Sequence, residues 1–104
     1  TMAPHCNDAE KYKIVDVMRQ KFRELFEKKT RIAGKLISEI LTINGVRFIL
    51  ENGSWGLIRA SSNKPSLVIV TESFQSADEM KAIFKFIDNL LKATGKVGKY
   101  DQKI

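Results

Sequence analysis

Arg59-Ala60-Ser61-Ser62-Asn63-Lys64-Pro65 is the stretch of this chain whose side chains could act together chemically. Arg59 presents a planar fork of N–H donors that can hold two oxygens of a phosphate at once. Ser61, Ser62 and Asn63 add side-chain donors, and the backbone of such a loop can add N–H groups in a concave turn. Lys64 brings a further positive charge. Pro65 has no N–H to give a ladder, so it closes the loop and sets the entry to the next strand. These are the components of a small phosphate-binding loop. The same composition also suits an ordinary polar hairpin loop, since Ser, Asn and Pro are common turn residues.

No other group of residues competes with it. Asp78, Glu79, Glu24 and Glu27 fall on helix surfaces or in a first turn, where they complement the helix dipole or pair with lysines. The chain has no Asp-x-Asp loop for a metal and no serine set beside a base for nucleophilic work. His5 and Cys6 are adjacent, but two ligands without a third make a poor metal site. Cys6 is the only cysteine, which excludes an internal disulfide, and it reads as an incidental thiol beside an exposed imidazole. No catalytic residue and no metal ligand are therefore assigned to this chain.

The elements that must position the loop follow from periodicity. Asn7 and Glu10 have the form of a capping box, and Ile14, Val15, Met18, Phe22, Leu25 and Phe26 recur at helical spacing, predicting a helix over about residues 8–28. Thr30 to Lys35 reads as a connecting loop. Leu36 to Ile43 and Val46 to Leu50 read as strands joined at Asn44-Gly45, a hairpin signal because the turn needs positive φ. After a turn at Asn52-Gly53, Ser54 to Ala60 is a third strand. Ser66 to Ser73 is a fourth, its Leu67-Val68-Ile69-Val70 run buried enough to lose alternation.

Ser76 and Glu79 form a second capping box, and Met80, Ile83, Phe84, Ile87, Leu90 and Leu91 predict a helix over about 77–93, with Gly95 at its C-terminal cap. Neither helix can bury its stripe alone. The fold class is thus α+β, an antiparallel sheet of about four strands with two helices packed on one face. Trp55 is read as a sheet-face or core residue, and Gly56 beside it as a close backbone approach or a bulge.

A length of 104 residues suits one domain, placed at 1–95, with a loose tail at 96–104. The composition is that of an ordinary globular protein, with 43% hydrophobic and 29% charged residues. No apolar run approaches the roughly 18 residues that span a bilayer, and the first residues lack the pattern of a signal peptide. A cytoplasmic protein with no membrane partner is the expectation. The net charge of +6 raises the question of nucleic acid. Nine Lys or Arg against four Asp or Glu lie within residues 10–35, however, so the excess belongs mainly to one helix and the loop after it, as a solvated face.

Gly45-Val46-Arg47-Phe48, then Trp55-Gly56-Leu57-Ile58-Arg59-Ala60-Ser61, and Pro65 before Leu-Val-Ile-Val together resemble the last domain of the α-D-phosphohexomutases. The nearest pattern is that of the bacterial phosphomannomutase/phosphoglucomutases, whose loop reads Arg-(Pro or Ala)-Ser-(Gly or Asn)-Thr-x-Pro. The resemblance implies that Arg59, Ser61, Ser62 and Asn63 contact substrate phosphate, with Lys64 beside them. Asn63 stands where many members carry Thr, and Lys64 where many carry Glu or Thr. It also implies an antiparallel sheet with two helices, opened by a strand before the first helix, for which only residues 1–6 remain here, either as a short truncated edge strand or frayed.

What the resemblance implies about activity is a part of a larger enzyme. The preceding domains would carry a phosphoserine, a magnesium loop of aspartates and a sugar-recognition loop. This domain would hold the phosphate not being transferred and close the cleft during interconversion of hexose 1- and 6-phosphates through a bisphosphate. Its partners would be the hexose phosphate and those preceding domains, and the fragment alone would be inactive. Ala60, rather than Pro, leans towards the phosphomannomutase/phosphoglucomutase branch; mannose, glucose and glucosamine phosphates would share this grip. The alternatives are a small basic nucleic-acid-binding α+β module, against which the acidic Asp78-Glu79 helix start argues, and a structural α+β adaptor.

Overall fold

The computed structural model describes residues 2–95 and 97–100. Helix α1 (Asp8–Glu27) starts at Asn7, whose side chain accepts from the N–H of Ala9. The cap therefore serves the second helical position rather than Glu10. Ile14, Val15, Met18 and Phe22 are buried along one stripe, while Phe26 at the end of the pattern is left exposed. Helix α2 (Ala77–Ala93) starts at Ser76, whose hydroxyl accepts from the N–H of Glu79. Its stripe is Ile83, Ile87 and Leu91, all buried.

The strands are β1 (Pro4–Cys6), β2 (Arg31–Ile32), β3 (Lys35–Leu41), β4 (Val46–Leu50), β5 (Trp55–Ala60), β6 (Leu67–Glu72) and β7 (Val97–Tyr100). Strands β2 to β6 form one antiparallel sheet in sequence order. Both helices lie on the face that carries Ile37, Val46, Phe48, Leu50, Ile58, Leu67 and Ile69, and these close the core with the helix stripes. Phe22 of α1 stacks on Phe48 of β4 with ring centroids 4.5 Å apart. Phe48 in turn needs Gly56: a Cβ there would stand 2.6 Å from the Phe48 ring and 3.0 Å from Ile87. Gly56 is thus a close approach and not a bulge. Replacing it by valine is expected to cost about 2–3 kcal/mol by overpacking, read as a lower urea midpoint; an unchanged midpoint would show that the ring has room to move.

Three sequence expectations change, and one left open, at the first residues, is decided. The 30–35 segment is not only a loop, because Arg31–Ile32 pairs with Leu36 and Lys35 across a turn with positive φ at Ala33 and Gly34, giving the sheet a fifth strand. Residues 2–6 are ordered as an edge: Met2 exchanges backbone hydrogen bonds of 2.7 Å with Ile69, and His5 bridges Ser66. Within the tail read as loose, Val97–Tyr100 pairs antiparallel with β1; Lys96 and residues 101–104 lie outside the described residues. Finally, β6 keeps an alternating burial pattern, since Val68 and Val70 face the side of the sheet that no helix covers.

Candidate functional site

Strand β5 carries Arg59 to one end of the sheet, and the chain must reverse between Ala60 and Leu67 to begin β6. The reversal is held by its own polar groups. The Ser61 N–H donates to Ser66 O at 3.0 Å, and the Ser66 N–H donates to Lys64 O at 2.8 Å. The Ser61 hydroxyl oxygen accepts from the N–H groups of Asn63 and Lys64, at 3.3 and 3.2 Å. The loop turns around this hydroxyl, as Ser side chains do when they cap a turn.

A second support comes from far away in sequence. The ammonium of Lys11, in the first turns of α1, reaches under the loop and donates to Ser61 O at 2.6 Å and to Lys64 O at 3.1 Å. Asp8 takes its remaining charge at 2.8 Å. Only 6% of the Lys11 side chain is exposed, yet each of its protons has an acceptor, so its burial is fully compensated. Lys11 draws the loop carbonyls inward, away from the side on which an anion would meet them as like partial charges.

What is left facing outward is a set of donors. Arg59 is exposed and has no hydrogen-bond or ion-pair partner among the described residues. The Ser61 and Ser62 hydroxyl hydrogens, the Ser62 N–H, the Asn63 amide and the Lys64 ammonium are likewise unspent among those residues. The backbone contribution is narrower than the sequence suggests, because the Asn63 and Lys64 N–H groups are already bound to Ser61. Arg59, Ala60 and Ser62 line one side of an open pocket of about 500 Å³; Tyr12, Arg19, Asn44 and Gly45 line the rest. Of the residues read from the sequence, Ser61, Ser62, Asn63 and Lys64 sit on one short reversal and Arg59 on the end of β5 that enters it, and of these five Arg59 and Ser62 line the pocket. Lys11 was not among the five.

The far end of the same strands holds a polar cluster of a different character. Glu79, read from sequence as a surface residue of a helix start, is buried. It is met by Lys35 at 2.7 Å, by Asn52 at 2.9 Å and by the hydroxyls of Ser54 and Ser73. Burial alone would push the Glu79 carboxyl up. The bonds from Lys35, Ser54, Ser73 and Asn52 outweigh it and hold the group down at about 2. The Glu79 side chain is thus committed inward and does not return to cap Ser76, whose N–H goes to the Ser73 hydroxyl at 3.1 Å.

Cys6 is buried in the core and not incidental, and burial pushes its thiol up, away from nucleophilic chemistry. Trp55 sits half-buried on the face away from the helices, with the Arg47 guanidinium 4.4 Å from its ring centroid, a cation–π pair. Among the described residues no three His, Cys, Asp or Glu side chains are grouped as metal ligands, and no helix is long and apolar enough to cross a membrane.

Comparison with known proteins bears on this geometry. The family model described as the phosphoglucomutase/phosphomannomutase C-terminal domain matches residues 6–90. A probable phosphoglucosamine mutase from Methanosphaera stadtmanae is 31% identical over 90 residues, covering 83% of this chain and 18% of that protein. A phosphopentomutase from Thermococcus kodakarensis is 41% identical over 51 residues, covering 49% of this chain and 11% of that protein. The chain spans under a fifth of the length of these relatives. Its element order, its α+β sheet and the residues matched agree, and the chain belongs to the phosphoglucomutase/phosphomannomutase family as a C-terminal domain.

Proposed function

We propose that this domain clamps the phosphate of a sugar phosphate through Arg59, Ser61, Ser62 and Asn63, with Lys64 alongside. The observation that carries the reading is Arg59, unpartnered among the described residues beside a reversal whose carbonyls are drawn to Lys11. In this reading the domain belongs to a longer mutase, whose preceding domains supply the phosphoserine that transfers its phosphoryl group to the free sugar hydroxyl. The resulting bisphosphate turns over and returns its other phosphate to the serine, interconverting 1- and 6-phosphates. The clamp holds the phosphate that is not moving. Phosphoryl transfer depends on position and charge stabilisation, so a fixed far phosphate lowers the barrier for the near one. Closing the domain over the cleft also keeps water from the phosphoserine.

The relatives are named for phosphoglucosamine and for a phosphopentose. What the reading carries across is therefore the phosphate and not the ring, and the lean from Ala60 towards mannose and glucose gains no support from them. Magnesium is assigned to another domain of the longer protein, and no step is routed through a metal on this chain. The nucleic-acid alternative gains nothing: Glu79 is spent inside the domain, but Asp78 still puts a negative charge at the start of α2, where that alternative needs a basic cluster.

Titration of the 104-residue chain with a hexose phosphate, followed by amide NMR, is expected to shift Arg59 to Lys64 first. A response to RNA along α1 with a silent loop would refute the clamp. In the full-length enzyme Arg59→Glu is expected to lower kcat/KM by about two orders of magnitude, since it replaces a bidentate donor by a like charge. The isolated domain should stay folded, because Arg59 is exposed. An unchanged rate would remove Arg59 from the role.

A further inference from the structure

The pocket beside the loop contains a second guanidinium that no motif announces. Apart from Lys11, Arg19 is the basic residue of α1 whose head group is held at two points among the described residues. Its Nε donates to Gly45 O at 3.2 Å, and its Nη1 donates to the Asp16 carboxylate. The side chain is 35% exposed. Its other N–H groups have no partner among the described residues. A guanidinium held in this way has already lost much of the freedom that binding would cost it.

Gly45 ties Arg19 to the loop. It lies in the turn between β3 and β4 with φ +132, and a Cβ there would stand 2.4 Å from Ile58 O and 2.9 Å from the Arg59 Cβ. Only glycine lets this turn lie directly on β5 at Arg59. The carbonyl that positions Arg19 thus belongs to the residue that touches Arg59. Both arginines line the same pocket, together with Tyr12, Asn44 and Ser62, and no acidic residue is in that lining. The pocket's volume of about 500 Å³ lies within the usual range for small-ligand sites.

We infer that Arg19 is the second arm of the clamp, so that a phosphate monoester is held between Arg59 on the loop and Arg19 on α1. The inference rests on the phosphate-clamp reading and extends it to a residue outside the loop. Because α1 supplies this arm, the grip requires the helix as well as the sheet. Asp16 neutralises part of the Arg19 charge, and the pocket keeps the excess that a phosphate dianion would meet.

The test titrates the 104-residue chain with inorganic phosphate at constant ionic strength, following loop amides and the Arg19 Nε–H by NMR. In the wild type both sets of signals should move with one dissociation constant. Arg19→Met should weaken binding about tenfold, and Arg19→Lys should recover only part of it, because an ammonium lacks the bidentate fork. Lys85→Met, which removes a charge from α2, should leave the constant unchanged; if it weakens binding as much as Arg19→Met, the effect is bulk charge and the inference falls. Moving loop amides with a still Arg19 Nε–H would overturn the second arm and leave the clamp standing; this readout needs no variant to fold. If neither responds, the clamp fails and the second arm with it. Binding that needs Arg19 but survives Arg59→Met would keep the α1 site and overturn the loop as its centre.

Discussion

Replacing Glu79 by alanine is expected to lower the stability of the domain at pH 7 by about 3 kcal/mol. Glu79 joins α2 to β3 through Lys35, to the β4–β5 turn through Asn52 and Ser54, and to the end of β6 through Ser73. Removing it takes away the acceptor of Asn52, Ser54 and Ser73, and leaves the Lys35 ammonium, 21% of whose side chain is in water, with no ion-pair partner and only a 3.4 Å bond to Ala33 O. The dependence on pH follows from the same bonds. The carboxyl's ordinary value is 4.5, and the fold holds it at about 2. A depressed carboxyl contributes its full stabilisation above the unfolded value. That contribution drains away as pH falls from 4.5 towards 2, because the unfolded chain takes up the proton first. Urea denaturation of the wild type and of Glu79→Gln at pH 7 and pH 3 checks this. The wild type should lose more stability between the two than the glutamine variant does. Parallel losses would mean that other carboxylates set the acid limit.

Replacing Lys11 by methionine is expected to weaken phosphate binding by about tenfold while leaving the domain folded. Methionine fills the space of the lysine stem but donates nothing to Ser61 O or Lys64 O. Lys64 O keeps the N–H of Ser66, so the reversal survives, whereas Ser61 O loses the bond that turns it inward. The carbonyl is then free to swing towards the phosphate face, and the charge beneath the loop is gone. Amide spectra should show changes confined to residues near 61–66 and the start of α1, and the phosphate titration should shift to higher concentration. Wild-type affinity in Lys11→Met would show that the Ser61 hydroxyl organises the loop unaided.

The proposed loop, Arg59 to Lys64, stands out in the sequence because its donors fall within a few consecutive residues, and the apolar stripes were legible because helices repeat every three or four. Lys11 and Glu79 were not. In sequence Lys11 is one basic residue among nine in its region, and what singles it out is a pair of carbonyls 50 and 53 residues away. Glu79 follows a serine at the spacing of a capping box, and that local signal hid a set of partners around Asn52 and Ser54, 27 and 25 residues back. Local patterns report local bonds. The short β2 escaped for a related reason: two residues carry no periodicity, and Arg31–Ile32 becomes a strand only through its pairing with Lys35 and Leu36. Arg19 repeats the lesson, since its Gly45 partner is 26 positions away.

The Glu79 cluster and the Arg59 loop occupy opposite ends of β5 and β6, separated by roughly 20 Å of strand. Side chains that far apart with no shared partner change free energy independently of one another. On the phosphate-clamp reading, the domain therefore keeps its cohesion and its ligand grip in separate places. If the loop is the clamp, substitutions that retune it for a different sugar phosphate need not be compensated in the framework. A family whose relatives carry names for different sugars is what such a division would let evolve.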